Sequence, residues 1–191
     1  MRVSREQAAE NRERIVETAA RLFRERGFEG IGVADLMKAA GLTHGGFYGH
    51  FESKDDLAAE ACTRALEKSV DGWDTVIANG AEDPLASIGA SYLSGKHRDR
   101  AGAGCLIAAL GSDVSRQSPP IRRAVSKGLE ALLARLERLV PGKSKAAKRQ
   151  KAIATFATML GAMTMARAID DRRLSKEILQ AALASLPAQG R

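Results

Sequence analysis

The positions of its prolines most constrain what this chain can fold into. None of the first 83 residues is proline, and the five prolines all stand where a helical pattern begins or ends: Pro84, Pro119, Pro120, Pro141 and Pro187. Alanine, the strongest helix former, accounts for 34 residues, whereas β-branched and aromatic residues are sparse. The sequence therefore predicts an all-α chain and comes close to excluding an all-β fold.

Length and cysteine content limit the class of protein further. A chain of 191 residues can bury a core without disulfides or a structural metal, as one globular unit or two small ones. Two cysteines, with no basic and then apolar leader, are typical of the reducing cytoplasm. The longest uncharged stretch, 152–166, is shorter than the roughly 20 apolar residues that cross a bilayer. We expect a cytoplasmic protein with no membrane partner.

Helix-capping signals divide the chain into nine predicted helices. Ser4 with Gln7, and Ser53 with Asp56, form capping boxes that each open a helix. The other helices follow from apolar periodicity and from the glycines and prolines that end it. The predicted helices span about 4–27, 33–40, 44–50, 54–77, 84–95, 103–116, 119–140, 146–169 and 174–186.

Two short predicted helices flank a glycine-containing turn, in the order VADLMKAA, GLT and HGGFYGH. This is the pattern of a helix-turn-helix, whose second helix enters the DNA major groove. The spacing also suits two helices of an ordinary bundle, so both interpretations stay open. Charge does not decide between them, because residues 1–57 hold nine Lys plus Arg against ten Asp plus Glu. The net charge of +7 comes from residues 96–191, which hold 19 Lys plus Arg against 7 Asp plus Glu.

The flanking residues carry a resemblance to a known family. GFEGIGVADLMKAAGLTHGGFYGHFESKDDL resembles the N-terminal signature of TetR-type transcriptional repressors, and GCLIAALGSDVSRQSPPIRR and LGAMTMARAIDDRRLSKEIL resemble segments of their effector-binding half. The resemblance implies an all-helical homodimer, with a DNA-binding head over 1–52 and a ligand-binding and dimerisation body over 53–191. The implied function is that of a ligand-responsive repressor, which a small-molecule effector releases from a palindromic DNA operator.

The residues around the turn have the chemistry of a DNA-contact surface. Helix starts at Thr43 and Ser53 present unpaired backbone N–H groups that can hold phosphates. Polar side chains after the turn carry donors for phosphate oxygens or base edges, and a lysine adds a cation. Alternatively, Tyr48 is a half-buried aromatic, and the glycines mark places where nothing larger fits. The predicted DNA-binding residues are Thr43, His44, Gly45, Tyr48, His50 and Lys54.

The helix predicted over 146–169 is apolar nearly all round in its second half. Such a helix is buried on both sides, here against its own body and against a partner subunit. A helix buried centrally in a monomer is the alternative. The predicted dimer-interface residues are Ile153, Leu160, Met163, Ile178, Leu179, Ala182 and Leu186.

Apolar and aromatic residues of the body mark a predicted effector pocket, although ordinary core packing is the stronger alternative for each. They are Trp73, Tyr92, Cys105, Leu106, Phe156 and Met159. Cys105 follows His97 and several cations, which can activate a thiol as a sensor of electrophiles or oxidants. The alternative is a small apolar residue at a helix start. Cys62, in a helix interior, is expected to be inert.

No metal site, cofactor or catalytic set is predicted. His44 and His50 do not share a helix face, and the sequence has no Walker, HExxH or GxSxG motif. Cys105, His97 and the scattered acids do not assemble into a nucleophile with its base, so we do not expect an enzyme. The competing function is a small-molecule or thiol-based sensor whose output is not DNA binding.

Overall fold

The computed structural model describes residues 4–79 and 82–187, which form nine α-helices and two 3₁₀ segments with no strand. The α-helices are α1 (Arg5–Arg26), α2 (Val33–Ala39), α3 (Lys54–Ala78), α4 (Pro84–Tyr92), α5 (Gly95–Asp99), α6 (Leu106–Val114), α7 (Pro119–Leu139), α8 (Lys145–Ala168) and α9 (Arg172–Ser185). The 3₁₀ segments are His44–Gly49 and Ala101–Ala103. The predicted all-α fold class is confirmed.

Local capping signals set the two helices that matter most for the site. The hydroxyls of Ser4 and Ser53 each accept a hydrogen bond at 3.1 Å, from the backbone N–H of Gln7 and of Asp56 respectively. Gly27 ends α1 with a φ of 78°, in the left-handed region that favours glycine. Both serines therefore cap their helices as the sequence indicates. The second half of each box differs, because the Gln7 side chain donates to Glu10 and Asn11, and Asp56 accepts from the Glu52 backbone N–H.

Three predicted helices differ in detail. The helix expected over 44–50 is a 3₁₀ segment, and Thr43 stands at its N-cap position without a side-chain cap bond. The helix expected over 84–95 ends at Tyr92, because Ser94 caps the separate helix α5. The helix expected from residue 103 begins at Leu106, because the glycine-rich chain before it forms the short Ala101–Ala103 segment.

A small aromatic core holds α1, α2 and the His44–Gly49 segment together as a head. Phe47 and Phe51 are buried, as predicted, with their ring centroids 5.7 Å apart. Met37 of α2 and Phe23 of α1 are buried in the same core. This packing fixes the direction in which the residues between Phe47 and Phe51 point.

Helix α3 joins this head to the rest of the chain. Ion pairs connect α1 to α3, with Arg12 bound to Glu60 and Arg64 bound to Glu13 and Glu17. Further along, α3 packs closely against α7, since a Cβ added at Gly128 would lie 2.5 Å from Leu66 Cδ1. The same helix thus contacts both the head and the core of the body.

Within the protomer, helix α8 has one buried face and one exposed face, so burial of the open side against a partner subunit stays a prediction. Its buried residues are Ala152, Thr155, Phe156, Met159, Ala162, Met163 and Ala166. On the other side, Ile153 is 46% and Met165 is 54% exposed. In the described ranges, none of the helices has the length and apolar character needed to cross a membrane.

Candidate functional site

The head presents an exposed edge at the His44–Gly49 segment. Tyr48 is 69% exposed, while the neighbouring Phe47 is buried and meets it edge-on with ring centroids 5.2 Å apart. Thr43, His44 and Gly45 are exposed beside it. Because Phe47 fills the core, Tyr48 must point away from it, and the structure places the phenol on the protein surface.

The two remaining predicted DNA-contact residues lie at the end of the His44–Gly49 segment and at the start of α3. His50 and Lys54 are half-buried, on either side of the buried Phe51. The Arg12 guanidinium stacks over the Phe51 ring at 4.6 Å and also binds Glu60. Helix α1 thereby braces the junction between the His44–Gly49 segment and α3, which keeps this surface in one arrangement.

A separate cavity of about 270 Å³ lies in the body and is called the inner cavity here. Four of the predicted pocket residues line it: Trp73, Tyr92, Cys105 and Phe156. The other two, Leu106 and Met159, do not line it and are 1% and 0% exposed in the core. Their apolar character marks core packing, which the sequence alone cannot distinguish from a pocket wall.

The inner cavity also has lining residues that sequence reasoning missed. Lys68, Ser69 and Gly72 come from α3, and His97 comes from α5. Ser69 shares a helix face with Trp73, four positions later, and Gly72 lies three positions after Ser69 and four after Lys68. Helical periodicity around Trp73 was therefore a usable signal for them.

His97 organises one wall of the inner cavity. Its Nε2 accepts a hydrogen bond from the Cys105 backbone N–H at 2.9 Å, so Nδ1 carries the proton and donates it to the Tyr92 carbonyl at 2.6 Å. Burial lowers the pKa of His97, and the nearby Arg167 cation lowers it further. The imidazole is therefore neutral at physiological pH and ties α4 to the start of α6.

The Tyr92 hydroxyl is buried and has no hydrogen-bond partner of good geometry among the described residues, although the Cys105 thiol lies near it. Burial raises the pKa of Tyr92, and the nearby Cys105 thiol raises it further. Rings surround it edge-on, with centroids 4.6 Å away for His97 and 6.2 Å away for Phe156. An unsatisfied buried hydroxyl costs about 1–3 kcal/mol, so an acceptor in this cavity would gain the corresponding stabilisation.

The two cysteines are free and occupy different surroundings. Burial raises the pKa of the Cys62 thiol to about 12, which agrees with the inert role expected for it. Cys105 stands at the N-cap position of α6 and is 6% exposed, at the wall of the inner cavity. In the described ranges, neither belongs to a group of three His, Cys, Asp or Glu residues that could hold a metal ion.

The predicted dimer-interface residues divide into two sets. Met163 and Leu179 are 0% and 4% exposed within the protomer, so their side chains are not on its surface. Ile153 is exposed, and the other four are half-buried: Leu160, Ile178, Ala182 and Leu186. The surface of α8 also carries small and apolar residues beside Ile153, namely Ala154, Ala157, Thr158, Thr164 and Met165.

Two family models match this chain. The model of bacterial regulatory proteins of the tetR family matches residues 15–61, which contain the exposed edge of the head. The model of the tetracyclin repressor-like C-terminal domain matches residues 80–182, more than half of the chain. The chain therefore belongs to the TetR family of bacterial regulatory proteins.

Individual relatives agree with this assignment. The transcriptional regulator AcrR of Shigella flexneri is 39% identical over 59 residues, which are 31% of this chain and 27% of AcrR. The transcriptional repressor NemR of Escherichia coli K12 is 28% identical over 130 residues, 66% of this chain and 65% of NemR. The aligned parts thus span less than two thirds of either relative.

Solved structures extend the similarity over nearly the whole chain. The reduced form of E. coli NemR superposes with a TM-score of 0.79 at 25% identity, covering 95% of this chain and 100% of that one. A TetR regulator from Chloroflexus aurantiacus superposes with a TM-score of 0.77 at 25% identity, covering 94% and 95%. The order and packing of the helices described above are therefore those of the family.

Proposed function

We propose that this protein is a sequence-specific DNA-binding repressor, released from a palindromic operator when a small molecule enters the inner cavity. Family membership supports this function, since AcrR and NemR are transcriptional regulators. The observation that carries the proposal is the exposed Tyr48 on a segment anchored by the buried Phe47. A phenol held on the surface in this way is available to a phosphate group.

In this proposal, the exposed edge divides its contacts between bases and phosphates. Thr43 and His44 reach base edges. Phosphates are bound by the exposed Tyr48 and by the half-buried His50 and Lys54. A Cβ added at Gly45 would have open space within 4 Å, so packing within the protein does not require glycine there. Close approach of the backbone to DNA is the remaining reason for this residue.

We place the DNA-binding head at 1–52 and the ligand-binding and dimerisation body at 53–191, with two copies pairing through α8 and α9. The exposed apolar face of α8 supports this pairing, and Ile153 with Leu160, Ile178, Ala182 and Leu186 belongs to the proposed interface. Two heads about 34–36 Å apart, or a multiple of it, match a palindrome. Pairing also doubles the phosphate contacts of a head that has no excess of basic residues.

The route from cavity to head in this proposal runs through Arg24 of α1. Its Nε donates to the Gly102 carbonyl at 2.9 Å, and Gly102 lies two residues before Gly104 in the wall of the inner cavity. A ligand that favours another position of this wall shifts the population of head arrangements. Lowering DNA affinity tenfold requires about 1.4 kcal/mol of differential ligand affinity.

The experiment selects bound sequences from random duplexes and measures the affinity of variants by fluorescence anisotropy. Tyr48→Phe removes one hydrogen bond to a charged group, which is worth about 1.5–3 kcal/mol, or about tenfold or more in Kd. Lys54→Ala should weaken binding and reduce its salt dependence. Lys151→Ala is the matching change on α8, and it should leave the affinity and its salt dependence unchanged.

Tight operator binding that ignores the Tyr48 and Lys54 changes would remove the contact assignment. Failure to select any duplex would favour a sensor whose output is not DNA binding. Repeating the selection after thiol alkylation tests whether Cys105 controls the output.

A further inference from the structure

A second cavity of about 480 Å³ adjoins the inner one and is called the outer cavity here. It lies between α1, α3 and the Ala101–Ala103 segment, and it shares Lys68, Ser69, Ala103 and Gly104 with the inner cavity. Its other lining residues include Thr18, Arg21 and Arg24 of α1. The two cavities thus join an aromatic chamber to one lined by cations, hydroxyls and the Glu17 carboxylate, which is paired with Lys68.

Arg24 differs from the other cations of the outer cavity. Arg21 pairs with Glu25 at 3.0 Å, and Lys68 pairs with Glu17 at 2.5 Å. Arg24 forms no ion pair with a carboxylate of the described ranges, and its Nε and Nη2 both donate to the neutral Gly102 carbonyl. A guanidinium has five N–H donors, so three remain for another partner.

A half-buried cation without a carboxylate is costly unless something else compensates its charge. Burial lowers the pKa of the Arg24 guanidinium, which shows that the charged form is partly desolvated. Arg24 lines a cavity with room for a ligand, together with Thr18 and Ser69, whose hydroxyl donates to the Ala65 carbonyl. Planar guanidinium groups bind carboxylate-like anions with paired hydrogen bonds.

The inner cavity indicates what the rest of such a ligand is. The rings of Trp73 and Phe156 lie nearly perpendicular, with their centroids 6.0 Å apart. In the part of the chain that the structure describes, the Tyr92 hydroxyl has no hydrogen-bond partner of good geometry. Aromatic walls with one or two polar groups favour a flat apolar ligand that carries an acceptor.

We propose that the effector is an aromatic small molecule with one anionic group, bound with its rings in the inner cavity and its anion on Arg24 in the outer cavity. This inference rests on the proposed function, because only that function makes the ligand an effector, and it adds the chemical class of the ligand. It also adds a consequence, since the anion takes hydrogen bonds from the arginine that ties α1 to Gly102.

The test uses two fluorescent probes that share their ring systems, anilinonaphthalene sulfonate and the uncharged phenylnaphthylamine. Trp73, the single tryptophan, lines the inner cavity and reports binding by energy transfer to either probe. Because a hydrogen bond to a charged group is worth about tenfold or more, the sulfonate should bind at least about tenfold more tightly to the unaltered protein. Equal binding of the two probes, or binding of neither, overturns the proposal.

Variants locate the anion. Arg24→Gln should weaken sulfonate binding about tenfold and leave the uncharged probe unchanged, while Arg24→Lys should restore part of the loss. Arg14→Gln makes the same charge change on an exposed residue of α1 and should have no effect. Equal losses for Arg24→Gln and Arg14→Gln would show that only overall charge attracts the sulfonate, and would overturn the assignment.

The two probes on the unaltered protein also decide the matter if Arg24→Gln fails to fold. No DNA is present in these titrations, so their failure leaves the operator-binding result intact. Conversely, a protein that selects no duplex can still show the Arg24-dependent preference for the sulfonate.

Discussion

A pair of glycine substitutions tests how closely α3 and α7 are packed. Gly128 lies in α7, and a Cβ there would meet Leu66 of α3 at 2.5 Å from Cδ1 and 2.6 Å from Cβ. Gly72 lies in α3 itself, and a Cβ there would meet nothing within 4 Å. Both are helix-interior positions, so the higher helix propensity of alanine should stabilise the protein by about 0.5–1 kcal/mol at each of them.

The difference between the two variants therefore isolates the packing cost. Gly72→Ala should stabilise the protein by about 0.5–1 kcal/mol. Gly128→Ala gains the same amount but forces a methyl group against the inner part of Leu66, and overpacking of this kind costs about 1–3 kcal/mol. We expect Gly128→Ala to be less stable than Gly72→Ala by about 2–3 kcal/mol, because the Leu66 Cβ cannot turn away as a side-chain end can.

Thermal and urea unfolding at one fixed protein concentration measure this difference, since an associating protein has a concentration-dependent Tm. For a chain of this size, about 1 kcal/mol corresponds to a change in Tm of about 2–4 °C, so the two variants should differ by about 4–12 °C. Equal Tm values, or a more stable Gly128→Ala, would refute the close approach of α3 and α7.

Three further predictions concern the cavity wall, the dimer and the DNA contact. The folded-state pKa of His97 lies below its usual 6.5, so the free energy of unfolding should fall as the pH drops below about 6.5, by at most about 1.4 kcal/mol per pH unit. His97→Asn should abolish this fall in pH-dependent urea unfolding, whereas His44→Asn should not. Ala157→Glu, on the exposed face of α8, should shift the sedimentation of the protein towards that of a monomer. A dimer that persists would show that the interface lies elsewhere. Ala86→Glu, at an exposed position of α4, is the control. Gly45→Ala should weaken operator binding without lowering the Tm, and unchanged affinity would show that the backbone does not approach DNA there.

Helix starts were predictable from the sequence where a side chain supplies the cap. Ser4 and Ser53 act locally, through a backbone N–H three residues away, so no tertiary information is needed. The break between α4 and α5 was missed, although Ser94 caps α5 in the same way. Apolar periodicity through Tyr92 and Leu93 concealed it, since both are buried.

The exposed edge of the head was predictable because a contiguous motif carries it. The cavity was predictable only in part, because its wall combines residues from α3, α4, α5, α7 and α8 with the chain before α6. Trp73, Tyr92 and Phe156 were found as large aromatics, but Met159 and Leu106 have the same apolar character and lie in the core. Arg24 was missed because its unusual feature, partial burial without an ion pair in the described ranges, depends on tertiary structure.

The proposed dimer face of α8 shows a similar limit. Periodicity identified α8 as a helix with two apolar sides, yet it did not show which side the protomer keeps for itself. Met163 belongs to the covered side and Ile153 to the open side. Both side chains are apolar enough for a protein core, so only the packing of α7 and α9 against α8 distinguishes the two sides.

Because α3 is one unbroken helix, a small tilt at one of its ends displaces the other end by a much larger distance. Lys54 at one end adjoins the DNA-contact edge, and Trp73 near the other end lines the inner cavity. At 1.5 Å per residue the two are about 29 Å apart along the axis. A tilt of about 5° at Trp73 would therefore carry Lys54 through about 2.5 Å, nearly the full length of a hydrogen bond. In the proposed repressor, small adjustments around a bound compound would be magnified, by geometry alone, into a mismatch with the spacing of two half-sites.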